Sequence, residues 1–548
     1  MRPGRISPYN GCNMPSHIRR RRTRAFSVAS FSLVFALFLV LSSSLAVGIA
    51  YQLHQISLQR LVPITTPKYL VVLVLDGAKP SYFDLGPLPH LDALRQNGIS
   101  YDRAFAGILE SETPSGHAAI ATGSTPAHDG LLGFNWIASD NTAIHLFDPA
   151  AVRAGGIEHV LQAAGASTIA SLFKARYPRA KVVAVSGHKY YAADPLGGPD
   201  ADYIMYYANT SHKTYAPTAI PGHVPPASIL NAPGLAAADS GLPLGLEDAL
   251  AVKLAIASFT RVHQQVTLIN LPEFDWPLGH VYGGEMARAR TLMQAFDRDL
   301  GTIEDIYSRA GVLNQTAFVV TADHGMADLR YQIPDSVLDN AISAAGTTSL
   351  ETTYSTAGYI WLQDASLTPV VAGNIVHAAN PHIQSVYYRV HTAAGDSYVL
   401  APGQHVGPST DNANQNLLSS FLGGNAPNVV AFCAEDSGFV TKGAETWKGN
   451  HGGAAWGSQH IPLIISGPGV VSSVTSHAPA RLEDIAPTAL ALFGINATNM
   501  QGTVLADALA TPSAPQKRTQ AGLSQTLQPG VQALADQSQR DLAAQAKR

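Results

Sequence analysis

Cysteine is nearly absent. Two cysteines in 548 residues, Cys12 and Cys433, exclude a disulfide framework, and there is no Cys-x-x-Cys pair to hold a metal cluster. They lie on either side of a long apolar run, so Cys433 is expected as an unpaired core thiol. Charge is scarce too. Only 14% of residues are charged against 46% hydrophobic, which excludes a disordered chain. A formal net charge of -4 gives no global basic surface, so a nucleic-acid polymer is not an expected partner. No internal repeat is present, which excludes a solenoid.

Acidic residues are missing from positions 1–24, which instead carry seven arginines, five of them at Arg19, Arg20, Arg21, Arg22 and Arg24. From Ala25 to Gln59 there is no Asp, Glu, Lys or Arg. A span of about 20 apolar residues crosses a bilayer, and an arginine block stays on the cytoplasmic side. Residues 1–24 therefore read as a basic cytoplasmic segment and 25–53 as a transmembrane anchor. The alternative is a signal cleaved near Ala46 or Ala50. Either reading puts the main domain outside the cytoplasm, at the cell membrane or secreted. Export without disulfides fits a bacterial surface.

Beyond residue 66 the chain is rich in short apolar runs. Tyr69–Leu75 reads YLVVLVL, and similar runs recur at Lys181–Ser186, Val266–Leu271, Thr316–Thr321 and Ile461–Ser466. Continuous Val/Leu/Ile runs of this length mark strands buried on both faces of a parallel sheet. Between them, Met286, Leu292, Met293, Phe296, Leu300, Ile303 and Ile306 fall mostly three and four apart, which predicts an amphipathic helix. The alternation predicts an α/β fold: a doubly wound, mostly parallel sheet with helices on both faces, with its site beyond the carboxyl ends of the strands. Residues 193–245, rich in Pro and Gly, read as a loop-rich excursion. Residues 330–445 read as a smaller cap, and 508–548 as a flexible tail rich in Gln, Ala, Ser and Thr.

Acids and histidines cluster just after the predicted strands. They occur in Val74-Leu-Asp76-Gly, in Glu112-Thr113-Pro-Ser-Gly-His117, in Thr321-Ala-Asp323-His324-Gly-Met, in Asp275-Trp-Pro-Leu-Gly-His280 and in Asn450-His451-Gly-Gly. A strand-end Asp is often only a helix cap, and a His in a glycine loop can be a surface turn. Five such segments together point to divalent-metal ligation, because carboxylates and imidazoles are the usual donors. Thr113 opens a predicted helix, where backbone N–H groups favour an anion.

This set resembles the alkaline phosphatase superfamily, in its type I phosphodiesterase/nucleotide pyrophosphatase branch. The resemblance runs over about residues 68–507, within a catalytic domain placed at 66–507, and rests on Thr113-x-x-x-His117 with Thr122-Gly123, on ADHGM, and on the closing Asp484–Ile495 segment with Gly502-Thr-Val-Leu505 after it. It implies an alkaline phosphatase-like catalytic domain acting on a small-molecule phosphate ester. Thr113 would be the nucleophile and pass through a phospho-threonine. Asp76, Thr113, Asp323 and His324 would hold one divalent metal ion, and Asp275, His280 and His451 a second. Zn2+ suits such ligands, with manganese as the alternative.

The sequence departs from the family pattern in places. One extra residue separates Asp275 from His280, which leaves Glu273 as a second candidate ligand. The family's phosphate-donating Asn falls ungapped on Phe134, with Asn135 one position later. Lys189 is kept where monoester specialists carry Lys-x-Arg, but Tyr191 stands in the arginine's place. That substitution favours phosphodiesters or nucleotide pyrophosphates, with Lys189 and Tyr191 binding substrate. The alternatives are a phosphomonoesterase and a non-catalytic surface binding protein on the same fold. Ser115 and Thr125 are alternative hydroxyls. His117 reads as a buried brace or a ligand, and His460 as packing.

Overall fold

The computed structural model describes residues 66–147, 156–209, 214–235, 238–239, 243–393 and 395–547. The arginine block and the apolar run at 25–53 lie outside the described residues. Among the described residues no helix is long and apolar enough to cross a membrane.

The main sheet contains β1 (Tyr69–Leu75), β2 (Gly98–Tyr101), β3 (Val182–Ser186), β4 (Tyr203–Asn209), β5 (Thr214–Ala219), β6 (Ala238–Asp239), β7 (Val266–Leu271) and β8 (Thr316–Thr321). A second sheet contains β9 (Ser349–Tyr354), β10 (Ala357–Leu362), β11 (Ile383–Thr392), β12 (Gly395–Leu400) and β13 (Val429–Cys433). Two further strands, β14 (Leu463–Ser466) and β15 (Val474–Ser476), return to the first sheet. The main sheet has the order β15-β2-β14-β8-β1-β7-β3-β4-β5-β6. Its centre, β8-β1-β7-β3-β4, is parallel. β14 runs antiparallel to both β8 and β2, and β5 and β6 continue antiparallel at the other edge. The sheet is therefore mixed, with eight of its ten strands running one way and β14 and β5 reversed. The buried runs identify the central strands, but they carry no signal for direction.

Every residue of β7 and β8 is buried, as are Leu70–Leu75 of β1. That is why these strands lack the alternation of a one-sided sheet. Each fully buried Val or Leu contributes roughly 1.5–3 kcal/mol. The helices that place or brace the site are α1 (Thr113–Thr122), α2 (Tyr190–Gly197), α3 (Leu246–Val262) and α4 (Met286–Arg309), the last on the predicted amphipathic stretch.

Two expectations need correction. The excursion at 193–245 is not only loop, because β4 and β5 extend the main sheet there. The tail is not flexible: Ala514–Gln545 forms α5, a 32-residue helix. Its composition resembles that of a disordered tail, but Ala and Gln are good helix formers. Leu523, Leu527 and Val531, four apart, pack with Phe105 and Trp456, and Leu534 joins the core beneath the second sheet. Near its end, Gln545 Nε2 donates to the Glu435 carbonyl at 2.8 Å.

Asp129 clips the loop after α1. Its carboxyl accepts from Thr122 Oγ1 at 3.1 Å and from the Leu131 N–H at 2.9 Å. Burial pushes its pKa up to about 8. The folded chain therefore keeps a proton there that the unfolded chain has released above the ordinary carboxylate value of 3.8. Stability contributed by that proton is present at low pH and is lost as pH rises from about 4 to about 8. Asp129→Asn is expected to flatten the fall in unfolding free energy, read from denaturant titrations across that window, by up to about 1.4 kcal/mol per pH unit. An unchanged slope would contradict this assignment.

Candidate active site

The site lies where the central strands end. Asp76 follows β1, Asp323 and His324 follow β8, and a short turn after β7 delivers Asp275. Gly77 has a φ of +71°, and a Cβ there would lie 3.1 Å from the Cβ of Asp275. Glycine thus permits both the turn and the close approach of the two carboxylates. The Gly77 N–H donates to Asp323 Oδ1 at 3.0 Å. Gly116 lets α1 rest on Asp323, since a Cβ would come within 2.5 Å of its carbonyl oxygen. His451 is brought in by the pairing of Gly449–Asn450 with Ala327–Asp328, just past His324.

Thr113 is the first residue of α1, with Pro114 next, where a missing N–H costs no helical bond. Its Oγ1 donates to Asp76 Oδ1 at 3.4 Å and lies 3.5 Å from Lys189 Nζ. Ser115 is occupied as a cap: its hydroxyl donates to the Glu110 carbonyl at 2.6 Å and accepts the Glu112 N–H at 3.2 Å. The Thr125 hydroxyl donates to Gln501 at 2.9 Å. Of the three candidate hydroxyls, Thr113 alone faces the acids and histidines among the described residues.

Each of three histidines turns its Nδ1 to a backbone carbonyl: His280 to Gly449 at 2.8 Å, His324 to Gly325 at 2.9 Å and His451 to Ser111 at 3.0 Å. A carbonyl only accepts, so each Nδ1 carries a proton, which leaves each Nε2 as the atom available to a metal ion. Those Nε2 atoms face carboxylate oxygens. His280 and His451 lie 3.1 and 3.4 Å from Asp275 Oδ1, and His324 lies 3.3 Å from Asp323 Oδ2. Asp275 Oδ1, Asp323 Oδ2 and His324 Nε2 are buried without a hydrogen bond. Lone pairs pressed together in this way call for a cation between them. The donor atoms of Asp76, Asp323 and His324 lie within 4.8 Å of one another, as do those of Asp275, His324 and His451. Buried oxygen and imidazole donors of this kind fit divalent metal ions.

Lys189 sits between the two groups, with its Nζ 2.6 Å from Asp275 Oδ2 and 3.0 Å from Asp76 Oδ1. Burial would lower its pKa, but the two carboxylates hold it well above the usual value. Burial would raise Asp275, but Lys189 and His280 hold it well below the carboxylate range. Burial and Asp323 push Asp76 up against the opposing pull of Lys189. Burial lowers His451 to about 4, which keeps the ring neutral and its Nε2 free to ligate at ordinary pH.

Asp275 rather than Glu273 joins the histidines. The Glu273 carboxylate turns to the start of α3 and accepts the N–H groups of Gly245 and Asp248 at 2.8 and 3.1 Å. Asn135 does not line the cavity. It pairs with a neighbouring strand, and its Oδ1 meets His145 Nδ1 at 2.9 Å, so the wall position goes to Phe134. His117 lies beneath the acids, with Nδ1 2.7 Å from the Thr113 carbonyl and 3.2 Å from Asp323 Oδ2. His460 stacks on Trp456 as packing.

The sequence reading missed Asn270. Its Nδ2 donates to Asp76 Oδ2 at 2.8 Å and lies 3.0 Å from His117 Nε2, while its Oδ1 accepts from Ser186 at 2.6 Å. A polar residue within the fully buried VTLINL run was the available signal. Above these groups lies a cavity of about 370 Å³ whose walls include Glu112, Phe134, Phe147, Tyr191, Trp276 and Trp447.

The model of the type I phosphodiesterase / nucleotide pyrophosphatase family matches residues 70–454, most of the chain and all of the site. The chain belongs to that family, within the alkaline phosphatase superfamily. It is 24% identical over 324 residues to the alkaline phosphatase PhoK of a Sphingomonas species, a match covering 49% of this chain and 57% of that one. It is 28% identical over 127 residues to PhoD of Zymomonas mobilis, covering 22% of each. The chain thus spans little more than half the length of the first of these relatives.

Among solved structures, wild-type alkaline phosphatase PafA superposes with a TM-score of 0.63 at 15% identity, over 81% of this chain and 99% of that one. Murine ectonucleotide pyrophosphatase/phosphodiesterase 5, solved as an inactive variant with AMP, superposes with a TM-score of 0.56 at 15% identity, over 80% and 97%. These two likenesses establish the alkaline phosphatase-like α/β fold.

Proposed function

We propose that this protein hydrolyses phosphate esters by attack of Thr113 with two divalent metal ions present, and that it prefers diesters to monoesters. The observation that carries the reading is the crowd of buried carboxylate and imidazole ligand atoms from Asp76, Asp275, Asp323, His280, His324 and His451 around the Thr113 hydroxyl. Asp76, Thr113, Asp323 and His324 would hold one ion, and Asp275, His280 and His451 the other. When bound, such ions neutralise charge on the phosphoryl oxygens and lower the pKa of an attacking hydroxyl.

The chain's own groups do the rest. Asp76 Oδ1 accepts the hydrogen bond of the Thr113 hydroxyl, which aims a lone pair of Oγ1 into the cavity. Lys189, 3.5 Å from that oxygen, offers a donor to a non-bridging phosphoryl oxygen. The start of α1 adds the positive end of a helix dipole. Asn270 and His117 keep Asp76, Asp323 and the Thr113 backbone in register. Attack by Thr113 Oγ1 forms a threonine–phosphorus bond and releases the alcohol. Water then cleaves that bond and restores the hydroxyl.

The wall supports the diester preference. No arginine lines the cavity among the described residues, and Lys189 is the one lysine there. In the place of a second cation Tyr191 packs edge-on to Phe134 and Phe147, at 5.1 and 5.2 Å. A monoester dianion gains from each added cation, whereas a diester carries one charge and a second organic group. With a matched aryl monoester and methyl aryl diester, kcat/KM is expected to favour the diester. Tyr191→Ala should lower the diester value by about tenfold when the retained group is aromatic. A strong monoester preference, unchanged in Tyr191→Ala, would support the phosphomonoesterase instead.

A further inference from the structure

A second aromatic pair flanks the site away from Tyr191. Trp276 directly follows Asp275 and is 41% exposed, the wettest large aromatic on the cavity wall after Phe147. Trp447 lies beside it, with ring centroids 5.9 Å apart at 65°. Both indoles bracket His280, Trp447 at 4.3 Å and Trp276 at 5.8 Å. Neither makes a ring contact with Phe134, Phe147 or Tyr191 among the described residues, so the cavity has two separate aromatic walls. A lone exposed tryptophan needs no explanation, but two side by side on the wall of the cavity above the ligand cluster form a binding surface.

Position decides what that surface would bind. Thr113 Oγ1 donates to Asp76 Oδ1. In-line displacement puts the leaving oxygen on the far side of phosphorus from the attacking oxygen. The far half of the site is that of Asp275, His280 and His451, which the two indoles border. Indole faces recognise planar apolar groups through dispersion and stacking, and they offer an anionic leaving group little. Resting on the diesterase reading above, we propose that Trp276 and Trp447 form a leaving-group subsite for an aromatic or extended apolar alcohol. The retained substituent faces the Phe134–Phe147–Tyr191 wall. The favoured substrate class is then a diester with an aromatic leaving alcohol, ahead of a pyrophosphate whose leaving group is a phosphate.

The test uses the zinc-loaded full chain and two methyl aryl phosphodiesters. Their leaving phenols have matched acidity, one a single ring and the other a fused double ring. Wild type is expected to favour the larger leaving group by about tenfold in kcat/KM, within the range aromatic stacking supplies. Trp447→Ala should bring the ratio near unity, and Trp447→Phe should keep most of it. An equal loss on both substrates in Trp447→Ala would mean that the indole only braces His280, and would overturn the proposal. So would a wild-type ratio near unity. Tryptophan fluorescence titrated with a non-hydrolysable naphthyl phosphonate reads the subsite without turnover. Quenching that weakens in Trp447→Ala supports the subsite, and quenching unchanged in that variant overturns it. If wild type cleaves neither ester, the hydrolase reading fails while the titration still decides the subsite.

Discussion

Thr113→Ala is expected to reduce turnover by more than about a thousandfold, because the variant lacks the one candidate nucleophile hydroxyl of the three that faces the ligand cluster. The substitution removes one of the proposed ligands but none of the carboxylates or imidazoles. Thr113 is buried at 1% exposure within α1, and alanine is a better helix former than threonine. The fold should therefore survive, and metal analysis should still find most of the wild-type content. Ser115→Ala gives the contrasting result. It removes a hydroxyl that accepts the Glu112 N–H and donates to the Glu110 carbonyl, so it should cost about 0.5–2 kcal/mol of stability and little activity. If Ser115→Ala were inactive while Thr113→Ala stayed near wild type, the nucleophile would be misassigned.

Asp275→Asn is expected to have the next largest effect. The amide keeps the shape of the side chain but removes the charge that faces His280, His451 and Lys189 together. Metal content should fall by about one ion per chain, and kcat/KM by at least about a hundredfold. Chelation of the wild type should remove activity and zinc should restore it, whereas added zinc should restore the variant only in part. Glu273→Gln is the control. Its carboxylate serves the start of α3, so the variant should lose stability and keep its metal content. Loss of metal in Glu273→Gln with none in Asp275→Asn would reverse the ligand assignment.

The contrast between these two acids shows where sequence reasoning reached its limit. Five apolar runs located the central strands because a strand buried on both faces must be apolar throughout. β1, β7 and β8 occupy the predicted residues, and β3 and β14 fall inside theirs. The acids and histidines after those runs converge because strand ends on one edge of a parallel sheet must meet. Which of two nearby acids turns inward depends on a single turn after β7, and residue type does not encode that. Asn135 was offset by the same kind of detail, since a strand pairing one residue along put Phe134 at the wall. Strand direction at the edges was hidden because a buried run reads alike either way. α5 was hidden because its apolar stripe is sparse and its polar anchors, Ser538 and Gln545, act only against Glu435 and its neighbours. Asn270 was visible as a polar residue in a buried run, but its role needed Asp76 and His117 beside it.

The most direct test of the account is to trap the covalent intermediate. The zinc-loaded protein would be mixed with a diester, quenched in acid within the first turnover, digested and analysed by mass spectrometry. The account predicts a phosphoryl adduct carrying the retained substituent on the peptide that contains Thr113, absent from Thr113→Ala and absent after chelation. An adduct on another residue, or full turnover with the Thr113 peptide unmodified throughout, would contradict it.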